Sequence, residues 1–158
     1  MKRIGVIGGD GIGPDVIREA MRVLDAATPS GTFSWDLLPY GAEHTLATGV
    51  TIPDTEFARF KQDYDAILLG ALGDPRVPDM RHARDILLGA RMKLDLYINK
   101  RPVRLLDETL CPLKGRKRGD IDLVIYRENT EGAYAGIGGT LHAGTEDEIA
   151  VTEMVATR

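Results

Sequence analysis

The sequence predicts an α/β fold built on a mostly parallel sheet. Two short apolar runs, residues 4–7 and 65–70, end in glycine, the pattern of strands buried on both faces that open into loops. Runs of helical spacing follow them: Ile17, Ala20, Met21, Leu24 and Ala27 in one case, Ile86, Leu87, Ala90 and Leu94 in the other. Strand and helix patterns alternate along the chain, which implies parallel strands joined by crossovers.

Each element has its own signal. Residues 4–7 form the first strand and residues 8–13, Gly-Gly-Asp-Gly-Ile-Gly, a loop. Pro14 suits the first turn of a helix, where its missing N–H costs nothing; Thr28-Pro29-Ser30-Gly31 ends that helix. Residues 32–38 read as a second strand, and Pro53-Asp54 begins a short helix through Phe57 and Phe60. After the strand at 65–70, residues 73–79 form a loop and 84–94 a helix. Residues 97–103 are extended, because Arg101 precedes Pro102. Residues 114–120 make a charged turn, 121–126 a strand, and Ile149, Val151 and Val155 a final strand. Tyr134 falls in a stretch bounded by glycines, read as a loop.

Composition narrows the functional classes. The 158 residues are 43% hydrophobic and 28% charged, with 20 Lys+Arg against 24 Asp+Glu for a net charge of −4. That mix excludes wholesale disorder, and mild acidity argues against a nucleic-acid binder. The basic turn from Lys114 to Arg118 lacks interleaved aromatics for base stacking. Cys111 is alone, so it makes no internal disulfide or thiolate metal site, and a reduced, cytoplasmic setting is expected. No apolar run approaches the roughly 20 residues of a membrane span. The opening run breaks at Gly8-Gly9-Asp10, too early for a signal peptide. His44, His82 and His142 show no metal-ligand spacing.

The glycine loop invites a nucleotide reading, but two standard patterns fail. A G-x-G-x-x-G frame from Gly9 needs glycine where Pro14 stands, and a P-loop frame from Gly8 needs lysine there. A Rossmann fold is therefore not expected. Arg91, Arg101 and Arg127 are more telling, because guanidinium forks bind carboxylates in bidentate fashion and three of them would suit a di- or tricarboxylate. Tyr134, seven residues after Arg127, could donate a proton.

Three segments in order resemble the β-decarboxylating dehydrogenases, which act on isopropylmalate, isocitrate, homoisocitrate or tartrate/D-malate. They are Gly9-Asp10-Gly11-Ile12-Gly13-Pro14, the segment from Leu88 to Val103, and Tyr126-Arg127-Glu128-Asn129-Thr130-Glu131-Gly132-Ala133-Tyr134-Ala135-Gly136. The resemblance implies an isopropylmalate dehydrogenase-like fold, not a Rossmann fold. It implies an α/β large-domain part over residues 1–100 and the start of a second, dimerisation and substrate domain over 101–158. Arg91, Arg101 and Arg127 then match the arginines that hold the substrate's carboxylates, Leu87 a residue beside its side chain, and Tyr134 the tyrosine that protonates the enol after decarboxylation. Ile12, Gly70, Ala71 and Arg84 match the surroundings of the cofactor's nicotinamide end.

The implied reaction is NAD-dependent oxidative decarboxylation of a 2-hydroxy dicarboxylate, assisted by Mg2+ or Mn2+, in a homodimer with no nucleic-acid or membrane partner. Isocitrate enzymes carry serine and asparagine where this chain has Asp85 and Leu87, and an acidic group there would repel a third carboxylate. The pattern favours 3-isopropylmalate, and with it leucine biosynthesis, with tartrate/D-malate as the alternative; a non-catalytic carboxylate-binding module is the remaining one. Family members are longer, and their metal-ligand aspartates and adenosine-binding loop lie further on. This chain is therefore expected to be an N-terminal part, inactive alone, with the metal ligands outside it.

Overall fold

Strand β1 (Lys2–Ile7) lies at the centre of a three-stranded sheet in the computed structural model, which describes residues 1–157. β2 (Phe33–Leu38) and β3 (Ala66–Leu69) flank it, both parallel to β1. Being central, β1 buries both faces: Ile4 and Val6 on one, Ile7 on the other. Full burial of such a side chain stabilises by about 1.5–3 kcal/mol. Gly5 is the exception on the Ile7 face, because a Cβ there would come within 2.7 Å of Ile67 Cδ1.

Helix α1 (Gly13–Ala27) carries Pro14 in its first turn, as expected. It packs Ile17 and Met21 against Ile4 and Val6, with Phe33, Trp35 and Leu68 closing that cluster. The opposite face is covered by α3 (Asp54–Asp63) and α4 (Arg81–Lys93). There Phe57, Phe60 and Ile86 join Ile7, Tyr40, Ile52 and Tyr64 in the larger core. A further helix, α2 (Ala42–Thr48), adds to the elements the sequence predicts. Gly41 precedes it and Gly49 ends it in the left-handed conformation. α4 begins three residues earlier than the sequence indicates, after Met80 at φ 53°.

The chain divides into two compact units, Met1–Leu94 and Asp95–Arg158. The parallel sheet belongs to the first. The second holds two antiparallel ladders: β4 (Ile98–Arg104) with β5 (Asp122–Glu128), and β6 (Gly132–Leu141) with β7 (Ile149–Val155). A short 3-10 turn, Glu108–Leu110, lies between β4 and β5. Tyr134 is thus on a strand rather than in a loop. β6 contains a register irregularity between Gly132 and Ile137, and Gly136 takes φ +69°. Such a bulge lets a glycine-rich segment pair as a strand.

Candidate functional site

In the first unit the loops that leave β1 and β3 at their carboxyl ends press together, the usual place for a ligand in a parallel sheet. Glycine is required where they touch. A Cβ on Gly70 would lie 2.0 Å from the Gly8 carbonyl oxygen, and one on Gly9 2.0 Å from that of Ala71. The Asp10 amide donates to the Ala71 carbonyl at 2.7 Å, tying the loops directly. Their outer side is open: Ile12 is 69% exposed and Ala71 is exposed. Nothing lies within 4 Å of a Cβ built on Gly11.

Of the four residues expected near a cofactor, Ile12, Gly70 and Ala71 are therefore brought to one pair of loops. Arg84 is exposed on α4, its Nε 3.3 Å from Asp85 Oδ1. An exposed apolar side chain and open backbone at the strand ends fit the nicotinamide end of a dinucleotide in chemistry; Arg84 is not brought to those loops by any contact among the described residues and instead borders a cavity beside α4. Among the described residues no group of three or more His, Cys, Asp or Glu could hold a metal ion.

Helix α4 also carries Leu87 and Arg91, both half-buried. Asp85 is engaged elsewhere: it accepts a hydrogen bond from the Thr51 hydroxyl at 2.9 Å. With Thr51, Phe57, Arg84, Leu88 and Met92 it lines an open cavity of about 350 Å³. Residues 85, 88 and 92 share one helical stripe, whereas 84, 87 and 91 form the neighbouring one.

The second unit holds Arg101, Arg127 and Tyr134. In the β4–β5 ladder Arg101 pairs with Ile125 and Asn99 with Arg127, so both arginines and Asn99 lie on the same sheet face. Arg101 Nε donates to Asn99 Oδ1 at 3.2 Å, and Asn99 Nδ2 reaches Asn129 Oδ1 at 3.4 Å. Asn129 is buried and donates to the Leu96 carbonyl at 3.3 Å, which anchors this polar row. Arg127 reaches across to β6, donating from Nη2 to the Tyr134 hydroxyl at 2.8 Å. Its guanidinium carbon lies 5.2 Å from the Tyr134 ring centre, within range of a cation–π contact.

Glu128 shapes the turn between β5 and β6. Its carboxylate accepts hydrogen bonds from the Thr130 amide at 2.6 Å, the Thr130 hydroxyl at 2.8 Å and the Glu131 amide at 2.9 Å. Desolvation pushes the carboxyl up, but the hydrogen bonds from Thr130, Glu131 and Asn129 outweigh it and hold Glu128 below its ordinary value. Glu128 and Asn129 fall within the resembling segment from Tyr126 to Gly136, but the sequence assigns neither a role, since each acts through neighbours rather than through a spacing pattern.

Fold and polar layout together define an α/β protein with a glycine-loop surface and an arginine–tyrosine cluster. A family profile for isocitrate/isopropylmalate dehydrogenases matches residues 3–158, and the chain belongs to that family. It is 46% identical to a 3-isopropylmalate dehydrogenase of Thermobifida fusca, over 99% of this chain and 44% of that protein. A 3-isopropylmalate dehydrogenase of Mycobacterium tuberculosis is also 46% identical, over 98% of this chain and 45% of the relative. Among solved structures, an isocitrate dehydrogenase from Methylococcus capsulatus superimposes with a TM-score of 0.78 at 30% identity, over 99% of this chain and 43% of that one. A β-decarboxylating dehydrogenase from Thermococcus kodakarensis gives 0.63 at 34% identity, over 98% and 41%. The chain thus spans less than half the length of the relatives it matches. Among the described residues no helix is long and apolar enough to cross a membrane.

Proposed function

We propose that this chain is the substrate-anchoring and cofactor-entry part of a cytoplasmic, homodimeric, NAD-dependent dehydrogenase that oxidatively decarboxylates 3-isopropylmalate. The observation that carries the reading is the Arg127–Tyr134 contact at 2.8 Å, inside a family whose members at 46% identity are named for that substrate. Arg91, Arg101 and Arg127 bind the two carboxylates, and Leu87 contacts the isopropyl group. Ile12, Gly70, Ala71 and Arg84 border the nicotinamide end of NAD, which when bound takes the hydride from C2.

The C2 hydroxyl gives up its proton to solvent as the hydride leaves, loss of the β-carboxylate from the resulting 2-keto acid as carbon dioxide leaves an enolate, and Tyr134 supplies the proton at C3. An arginine only donates hydrogen bonds, so the Tyr134 oxygen accepts from Arg127 and its own proton is not spent on that contact. The same cation stabilises the phenolate left behind. A divalent metal, held by residues outside this chain, belongs to the same reading.

The test is NADH formation by the full gene product with 3-isopropylmalate, D-malate and isocitrate. Turnover with 3-isopropylmalate above the other two supports the reading. Preference for D-malate moves it to the tartrate/D-malate branch. Dicarboxylate binding without turnover on any of the three makes the protein a binding module instead.

A further inference from the structure

The proposed chemistry leaves unused a buried pair, Asp10 and His82, 72 residues apart in the chain. Their side chains are 4% and 0% exposed, with His82 Nε2 2.9 Å from Asp10 Oδ2. The same carboxylate accepts the Ala42 amide at 2.6 Å on Oδ1 and the Gly73 amide at 2.8 Å on Oδ2. The Asp10 backbone adds two bonds, donating to Ala71 and accepting the Gly13 amide at 2.8 Å. One residue of the glycine loop thus joins the start of α1, the start of α2, the loop after β3 and the first turn of α4.

An ionised carboxylate only accepts, so His82 donates through Nε2. That leaves His82 Nδ1 buried without a hydrogen-bond partner among the described residues. A buried polar atom left unpaired is unfavourable, and a leucine would fill the same space without one. Packing therefore does not account for histidine here, whereas its directed Nε2–H does. His82 also lies two residues before Arg84, in the same turn of α4.

We propose that Asp10–His82 is a positioning pair that fixes the spacing of the Gly8–Gly13 and Gly70–Gly73 loops, and through it the affinity for the nicotinamide end of a dinucleotide. The inference rests on the reading of those loops as a dinucleotide surface. Neither side chain touches the cofactor; both act through the backbone they hold.

The test uses the full gene product and two variants, His82→Leu, which removes the donor, and His82→Gln, which retains one. In His82→Leu the amides of Gly13, Ala42 and Gly73 exchange with solvent about tenfold faster than in the parent. NADH binding, followed by its fluorescence, weakens about tenfold or more, while the hydroxy-acid KM stays within about twofold. His82→Gln recovers both properties. Parent-like NADH affinity in His82→Leu, or no recovery in His82→Gln, overturns the proposal. Should His82→Leu fail to fold, Asp10→Asn takes its place, and parent-like NADH affinity there overturns it equally. A parent protein that binds no NADH refutes the dinucleotide reading itself; loop amides that still speed up in His82→Leu would then support the pair's hold on the loops, and unchanged amides would refute that too.

Discussion

The Arg127 guanidinium donates to the Tyr134 hydroxyl at 2.8 Å while standing over its ring. One strand therefore supplies the cation and the next the phenol, and the turn held by Glu128 sets their spacing. In the proposed function Arg127 anchors a carboxylate and Tyr134 donates a proton, and this contact makes the two roles separable by kinetics.

Tyr134→Phe removes the proposed proton donor and keeps the ring under Arg127. The expected loss in kcat is about 100-fold or more, the usual size for a general acid. The dicarboxylate KM changes little. Steady-state kinetics with the full gene product checks both, and thermal unfolding should stay within about 2 °C of the parent because Tyr134 is 40% exposed.

The paired loops make two glycines behave differently. Gly70→Ala drives a Cβ to 2.0 Å from the Gly8 carbonyl oxygen and should destabilise by about 3 kcal/mol, as overpacking against backbone does. Gly11→Ala meets open space but keeps φ +54°, so only the left-handed penalty of about 1 kcal/mol applies. Urea unfolding of the two variants should rank them in that order.

Acid should release the loop after β3. The Arg76 side chain and amide both hydrogen-bond Asp74 and hold its carboxyl at about 2, below the ordinary 3.8. A lowered carboxylate contributes stability that is complete above 3.8 and lost as pH falls through about 2. Arg76 also bridges to Glu43 on α2 at 2.6 Å. Pepsin cleavage within 73–79 should therefore rise steeply over that window, and Asp74→Asn should be cleaved readily across it.

Alkali acts on Tyr40. Burial, then a hydrogen bond with Glu56, pushes its phenol up to about 12 from 10.0. The folded state holds that proton longer than the unfolded chain, so the contribution is complete below 10.0 and lost as pH rises through about 12. Ultraviolet titration should show one tyrosine ionising late, and Tyr40→Phe should resist alkaline unfolding better than the parent.

Much of this fold is legible in the sequence. β1, its glycine loop, α1, β3 and the body of α4 follow from apolar runs that end in glycine and from helical periodicity. The helix at Ala42–Thr48 did not, because seven residues span too few turns to show an apolar face. The strand from Gly132 to Leu141 did not, because four glycines read locally as turns, and only pairing with Ile149–Val155 makes it a strand. Arg127 and Tyr134 were legible as types and spacing. The contact of Asp10 with His82 was not, since no local pattern encodes a hydrogen bond across 72 residues.

The most direct test of the central claim, that three arginines hold a dicarboxylate, is the 3-isopropylmalate KM of Arg91→Lys, Arg101→Lys and Arg127→Lys in the full gene product. Lysine keeps the charge but loses the fork. Each KM should rise about tenfold or more, with the KM for NAD unchanged. Parent-like KM values in all three variants would contradict the account.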